Sequence, residues 1–147
     1  MTLKIPKMPR RWDFSKYERN IARAKRAIPR QAANAAVKVF KDSFKMQRFN
    51  SAGGSPWRRR KDDKKSHPLL MKSSKMFNSI RKTKVTFRET IIKALAPYSK
   101  VHNRGLMSKA FGKYPFKMPK RQFMGNSTVL TRQIRMIIRK NLKRVFR

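Results

Sequence analysis

The segment MPKRQFMG, residues 118–125, places a basic pair between a proline and a phenylalanine and ends in a glycine. Lys120 and Arg121 carry the charge that contacts with phosphate require. Pro119 and Gly125 are residue types that mark turns. Two interpretations follow from these residues alone: the segment contacts nucleic acid, or it is a turn that leads the chain into its last helix.

The last helix has the clearest pattern in the chain. Ser127 is a suitable N-cap, and the residues after it predict a helix to about residue 146. Its apolar face is formed by Leu130, Ile134, Ile137, Ile138, Leu142 and Val145. We expect this face to pack on a sheet. An amphipathic helix can also lie on an anionic membrane, but packing within the protein is the simpler interpretation.

The N-terminal half predicts a long helical region in two parts. Residues 15–28 and 30–48 carry apolar side chains at spacings of three and four. Pro29, between them, lacks the backbone N–H that a helix interior needs. We therefore expect either a kink at Pro29 or a new helix with Pro29 at its first position. Residues 69–80 are predicted as a further, short helix.

A small antiparallel sheet is predicted between the helical regions. Val85 and Phe87 alternate with polar residues, and residues 90–96 are β-branched and apolar, which predicts a hairpin around Arg88–Glu89. Residues 97–126, rich in proline and glycine, are predicted to be irregular, with Phe116 and Phe123 buried. The expected fold class is α+β: a small antiparallel sheet packed with a long N-terminal helix, with Pro29 as its point of kinking, and a C-terminal amphipathic helix.

The 147 residues suit one domain, which we place at residues 13–147. Residues 1–12 contain two prolines and several cations, so we expect a basic extended arm. Residues 57–68 are strongly charged after an initial tryptophan, and we predict a mobile basic loop there.

Positive charge dominates the composition. The chain has 41 Lys and Arg against 6 Asp and Glu, a net charge of +35, and such a surface favours a polyanion nearby. DNA, RNA and acidic proteins all meet this description; a merely solvated surface usually mixes both signs. The cations that we expect to face a partner or DNA are Lys4, Lys7, Arg10, Arg11, Arg58, Arg59, Arg60, Lys61, Lys120 and Arg121.

The residue inventory argues against an enzyme. The six acids are scattered, and the one close pair, Asp62 and Asp63, lies in a charged stretch. His67 and His102 stand far apart and there is no cysteine, so we expect neither a catalytic site nor a bound metal or other cofactor, and no small-molecule substrate. No apolar run is long enough to span a bilayer, so we expect no membrane partner. No secretory signal is recognisable either, so cytoplasmic synthesis is the default.

Four stretches of the chain, taken in order, carry a family pattern. They are FKMQRFNSAGGSPW at 44–57, LMKSSKMFNSI at 70–80, PYSKVHNRG at 97–105 and MPKRQFMG at 118–125. Their order resembles that of the phage virion morphogenesis family, the tail completion group that includes protein G of Mu-like phages and protein S of P2-like phages. The third stretch is similar to the family's Tyr-Ala-x-x-His-(Asn/Gln)-x-Gly and the fourth to its Pro-x-Arg-x-Phe-(Leu/Met)-Gly. Ser74 and Met76 stand where the family prefers glycine and leucine.

The resemblance implies a structural protein with no enzymatic activity. Such proteins are α+β modules of the head–tail connector or tail tip that assemble as rings around a channel for DNA. The implied partners are further copies of the chain, other connector, portal or tail proteins, and the DNA in the channel. The implied location is the virion, after assembly in the host cytoplasm. The residues that would carry the family's structural motifs are Trp57, Tyr98, His102, Asn103, Gly105, Pro119, Arg121, Phe123 and Gly125.

Charge alone leaves two alternatives, a ribosomal-type RNA-binding protein and a non-specific DNA-binding protein. For residues 118–125 the resemblance favours the turn. Pro119 then fixes the approach to the last helix, Phe123 is anchored in the core and Gly125 permits the turn, which leaves Lys120 and Arg121 for a partner.

Overall fold

The computed structural model describes residues 14–60, 67–110 and 112–146. Lys4, Lys7, Arg10 and Arg11 of the predicted arm lie outside the described residues, and so does Lys61 of the predicted loop. The elements are, in chain order, α1 (Ser15–Met46), α2 (Lys75–Ser79), β1 (Ile80–Val85), β2 (Thr90–Ala94), α3 (Ser99–Arg104), β3 (Met107–Ala110), β4 (Tyr114–Lys117) and α4 (Thr128–Val145). The predicted α+β class is confirmed, with two small antiparallel sheets where one was expected.

α1 is a single helix of 32 residues that runs through Pro29. The prediction of a new helix at Pro29 is therefore wrong. Proline removes one helical hydrogen bond, but Pro29 is buried, as are Ala24 and Ala33 nearby on the same helix. Pro29 lies beside Val85 and Phe87 of the β1–β2 hairpin. Packing of α1 against the rest of the fold favours one continuous helix, because packing stabilises helices more than local propensity does.

The core is centred on Phe44, near the end of α1, whose side chain is fully buried. Its ring lies 5.5 Å from that of Trp57, 5.9 Å from Phe77 and 4.8 Å from Phe123, measured between ring centroids. Edge-on and tilted pairs of this kind stabilise a core beyond simple burial of area. Phe123, only 1% exposed, is anchored in the core as predicted.

The hairpin predicted around Arg88–Glu89 is confirmed. β1 and β2 pair antiparallel from Ile80 opposite Ala94 to Val85 opposite Thr90, with a bulge between Lys82 and Lys84. The turn is closed by Thr86, whose backbone N–H donates to the Glu89 carbonyl at 2.8 Å. Phe87 lies in this turn, outside either strand.

Residues 97–126 are more regular than predicted. They contain the six-residue helix α3 and a second antiparallel hairpin, β3–β4. Phe116 lies on β4 and is 38% exposed, so the prediction that it is buried is wrong. All four residues of β4 are exposed, and a strand without a buried face leaves no alternating apolar pattern to detect.

The helix predicted over residues 69–80 is also shorter than expected. Only Lys75–Ser79 is helical, and Ile80 begins β1. Leu70 and Ser74 have positive φ angles of 62° and 50°, a backbone conformation that a continuing helix cannot contain.

α4 packs mainly against α1, and the prediction that its apolar face lies on a sheet is wrong. Ser127 caps the helix as predicted, its Oγ accepting a hydrogen bond from the Leu130 N–H at 3.2 Å. The most buried side chains of α4 are Asn141 and Val145. The Asn141 amide donates to Gln31 of α1 and to the Ile137 carbonyl. The face of α4 that packs on α1 is therefore centred on Asn141. Leu142, which was predicted to lie on the packed face, is 45% exposed.

Candidate functional site

Two of the family-like stretches meet side by side. α3 ends at Arg104, and its last turn lies against residues 118–125. The Asn103 Oδ1 atom accepts hydrogen bonds from the backbone N–H groups of Phe123 and Met124, at 2.8 and 2.9 Å. Its Nδ2 donates to the Met124 carbonyl at 3.0 Å. One side-chain amide thus satisfies three backbone groups of the partner segment.

Backbone contacts extend this junction in both directions. The Arg121 N–H donates to the His102 carbonyl at 2.8 Å, and the Met118 N–H donates to the Leu106 carbonyl at 3.1 Å. Gly105 has φ +69°, and a Cβ there would lie 2.8 Å from the Lys120 Cβ. Glycine is required at Gly105 both by the backbone conformation and by this close approach.

Trp57, from the family-like stretch at 44–57, forms a hydrogen bond with residues 118–125. Its indole ring is buried and its Nε1 donates to the Gln122 carbonyl at 2.8 Å. Trp57 also packs edge-on against Phe44. The tryptophan therefore joins the turn after α1, the core and residues 118–125.

Arg121 lies at the centre of this junction and is 8% exposed. Its Nη2 donates to the Arg58 carbonyl at 3.3 Å. Its Nε is buried and has no hydrogen-bond partner among the described residues. Burial, and then the nearby charge of Arg60, lower the pKa of the Arg121 guanidinium from its ordinary value. A buried cation with no described counter-ion is costly.

His102 lies beside Arg121 and is half-buried. Its Nδ1 is also buried, with no partner in the part of the chain that the structure describes. Burial, and secondarily the positive charge of Arg121, lower the pKa of the His102 imidazole. Tyr98 packs edge-on against the ring at 6.1 Å between centroids. The neutral imidazole is therefore favoured at this position.

Arg121 and His102 line a pocket of about 270 Å³ together with residues from the other side of the junction. Arg60 also lines the pocket, and its guanidinium donates to the carbonyls of His67 and Pro68 at 2.9 and 3.1 Å. Its Nη2 is also 3.0 Å from the His67 Nδ1. The two described ends of the predicted loop at 57–68 are joined by these bonds.

The structure separates the predicted partner-facing cations into two groups. Arg58, Arg59 and Lys120 are exposed, whereas Arg60 and Arg121 belong to the pocket. Arg121 is not on the open surface as a free cation, and its contact with a partner stays a prediction. The remaining family-motif positions cluster near the junction: Tyr98 is 39% exposed, Pro119 is half-buried, and Gly125 is exposed with φ +156°.

Sequence reasoning did not assign His67 and Lys72 to this pocket. Lys72 is one of many cations in the chain, and nothing in its neighbours distinguishes it. His67 follows Arg60 by seven residues, a spacing without a motif. The juxtaposition exists only because residues 57–60 and 67–72 fold back beside α3.

The site has the properties of a binding surface. Among the described residues there is no group of three or more His, Cys, Asp or Glu that could hold a metal ion. None of the helices in residues 14–60, 67–110 and 112–146 is both long enough and apolar enough to cross a membrane. The pocket offers buried and half-buried cations and hydrogen-bond donors, which bind anions.

The sequence of residues 14–143 matches the model of the phage virion morphogenesis family. The match spans most of the chain, including the α1–α4 packing and the whole junction around Asn103. The chain belongs to the phage virion morphogenesis family. No curated protein and no solved structure matches it significantly.

Membership in the phage virion morphogenesis family assigns the chain a structural role in bacteriophage assembly. It is a virion-associated protein that acts with other phage virion proteins. The resemblance that rested on four stretches is thus confirmed over residues 14–143.

Proposed function

We propose that this protein is a head–tail joining or tail completion subunit, a connector that forms part of a ring around the channel through which DNA passes. It has no enzymatic activity in this role. Its partners are further copies of itself and the connector, portal or tail proteins beside it. Family membership supports the structural role in the virion.

The observation that supports a ring is that the outer edges of the strands are unpaired in the described residues. β1 and β2 form one two-stranded sheet and β3 and β4 form another, so within the described residues each strand pairs along one edge only. Two-stranded sheets are marginal alone, and an unpaired edge is a template for a strand from another chain. Copies of the subunit that add strands to these edges would extend the sheets around a ring.

α4 supports assembly with a second feature. Ile138, Leu142 and Phe146 are spaced four residues apart and are 37%, 45% and 72% exposed. They form an apolar stripe beside the face that packs on α1. Contiguous exposed apolar surface is typical of a protein–protein contact.

Charge supports the placement beside DNA. Among the described residues the acids are Glu18, Asp42 and Glu89, and two of them pair with lysines: Asp42 lies 3.7 Å from Lys45 and Glu89 lies 2.7 Å from Lys84. The other cations outnumber acids on every element. A ring of such subunits would surround its channel with positive charge, which favours contact with the phosphate backbone.

Native mass spectrometry of the purified protein tests the ring. We expect a closed oligomer of one dominant stoichiometry that persists at moderate salt. A monomer at all concentrations that remains monomeric with its virion neighbours would contradict the proposal.

The two alternative functions rest on the same charge. A ribosomal-type RNA-binding protein would co-purify with ribosomes at moderate salt. A non-specific DNA-binding protein would bind free duplex with a steep dependence on salt concentration. We expect neither behaviour to be dominant, because a connector subunit meets DNA only in the assembled ring.

A further inference from the structure

The pocket beside α3 has an unbalanced charge. Arg60, Lys72 and Arg121 all line it, and no acidic residue is among the described residues of its lining. Arg60 and Arg121 are close enough that the charge of Arg60 contributes to the lowered pKa of Arg121. Two cations held near each other in a partly buried site favour an anion between them.

Unused donors are a separate observation. Arg121 is more than nine-tenths buried, yet it forms only one side-chain hydrogen bond with the described residues, and its Nε has no partner. The Nδ1 of His102 is also buried without one. Buried polar groups in folded proteins are nearly always satisfied. An oxyanion in the pocket would supply acceptors for the guanidinium.

The shape and the remaining lining indicate which oxyanion. The pocket is small, about 270 Å³, and part of its wall is apolar, with Leu69, Leu70, Met76 and the Tyr98 ring. Interfaces with duplex DNA are polar and hydrated, whereas a carboxylate on a peptide brings apolar atoms with it. The planar guanidinium can form two parallel hydrogen bonds with a carboxylate as with a phosphate, so the apolar part of the lining is what favours the carboxylate.

We propose that this pocket binds the carboxylate of an acidic peptide segment from a neighbouring protein, with apolar side chains beside that carboxylate. Arg60, Lys72 and Arg121 hold the carboxylate, and the leucines and Tyr98 contact the apolar part. That the neighbour is a virion protein rests on the proposed function. The carboxylate site itself is tested on the isolated protein, so failure of the site and failure of the connector role are distinguishable.

N-acetyl-L-leucine is a suitable probe, because it carries one carboxylate and one apolar side chain. Its uncharged amide, N-acetyl-L-leucinamide, is the matched control. Binding to the full chain is followed by the NMR signals of the Arg121 Nε–H and the His102 ring at about 0.15 M salt, where weak surface attraction is screened. We expect saturable shifts with the acid, none with the amide, and a raised His102 pKa in the complex.

Variants locate the binding. We expect Arg60→Gln and Lys72→Gln to weaken the affinity about tenfold each, since each removes a charged hydrogen bond. Arg104→Gln removes an exposed cation of α3 outside the pocket lining and should leave the affinity unchanged. The proposal is decided by Arg60→Gln and Lys72→Gln, because Arg121 is buried and its substitution also affects folding.

Four results would overturn the proposal. Equal binding of the acid and the amide would show that the pocket does not recognise a carboxylate. Equal weakening by Arg104→Gln would show that the affinity comes from the overall positive charge and not from the pocket. Binding of inorganic phosphate or a short DNA duplex at this pocket without binding of N-acetyl-L-leucine would assign it to nucleic acid. A chain with Asp62→Asn and Asp63→Asn should bind the acid as the wild type does; binding by that variant alone would show that the chain supplies its own carboxylate.

Discussion

At the junction between α3 and residues 118–125, the Asn103 side chain makes the kind of hydrogen bonds to backbone that a neighbouring strand would make. Its side-chain amide bonds three backbone groups of Phe123 and Met124. An aspartate would lack the donor and a leucine would lack both kinds of group. The residue therefore holds the approach to α4 while Phe123 enters the core.

Asn103→Ala leaves the N–H groups of Phe123 and Met124 without their acceptor. We expect the free energy of unfolding to fall by about 1–3 kcal/mol, the cost of unsatisfied buried donors. Denaturant unfolding measures it. Asn126→Ala, at an exposed site in the same region, should change stability by less than about 0.5 kcal/mol, and an equal loss in the two variants would contradict the role given to Asn103.

Two phenylalanines nearby in the chain form a matched pair. Phe123 is 1% exposed and packs on Phe44, whereas Phe116 is 38% exposed on β4. We expect Phe123→Ala to cost about 3–5 kcal/mol through a cavity in the core. Phe116→Ala should cost less than about 1 kcal/mol in the isolated subunit. A loss well under about 1 kcal/mol for Phe123→Ala by denaturant unfolding would place residues 118–125 outside the core.

His102 should make stability depend on pH. Its pKa is lowered in the folded protein, mainly by burial and then by Arg121, so below the ordinary histidine pKa of about 6.5 the unfolded chain binds a proton that the native imidazole does not. The stabilisation is fully present above that pH and is lost as the pH falls toward the lowered native pKa. Unfolding of His102→Gln between pH 7.5 and 5.5 (about two units around the titration) should show a smaller pH dependence than the wild type. Identical slopes for the wild type and His102→Gln would contradict the assignment.

Among the short elements, α2 begins with strained backbone. Ser74, its N-cap residue, has φ 50° and makes no side-chain cap bond. The left-handed region costs a non-glycine residue about 1–2 kcal/mol, and glycine is the residue that the family pattern prefers at this position. The departure of Ser74 from that pattern therefore has an energetic cost at the start of α2.

Ser74→Gly should raise the free energy of unfolding by about 0.5–1 kcal/mol, the relieved strain less the extra flexibility of glycine in the unfolded chain. Ser73→Gly is the matched control, because Ser73 is not among the residues with positive φ. It should lower stability instead. Destabilisation by both substitutions to the same extent would show that Ser74 is not strained.

Long periodic elements could be predicted from the sequence, and short exposed ones could not. α4 and most of α1 follow from apolar side chains at helical spacing, and the β1–β2 hairpin follows from alternation. β3, β4 and α3 have four to six residues and little buried surface, so no period marks them. The uninterrupted path of α1 through Pro29 depends on packing of the helix against the rest of the fold, where Pro29 lies beside the β1–β2 hairpin, and local propensity does not include that packing.

The candidate site was predictable in its parts and not in its assembly. Trp57, Asn103 and Phe123 were singled out by the family-like stretches, and all three bond or pack at one junction. The burial of Arg121 could not be predicted, because an arginine among 41 cations gives no local sign of being enclosed. Its enclosure arises from contacts with Arg58 and His102, more than 15 residues away along the chain.

In the described residues, α1 and α4 pack together beside a small core, and the two hairpins have outer strand edges with no partner in that part of the chain. Cations outnumber acids throughout the sequence. The family match gives the chain a structural role among the proteins of the virion. In a ring of identical subunits, each with a net charge of +35, neighbouring subunits would repel one another. DNA in the channel or acidic partner segments would offset that repulsion.

Electron microscopy of purified virions that carry a labelled form of this subunit tests the central proposal most directly. The connector role predicts label confined to the neck or the tail of each particle, at the position of a ring coaxial with the DNA channel. Particles complete with head and tail but without label at the neck and tail would contradict it.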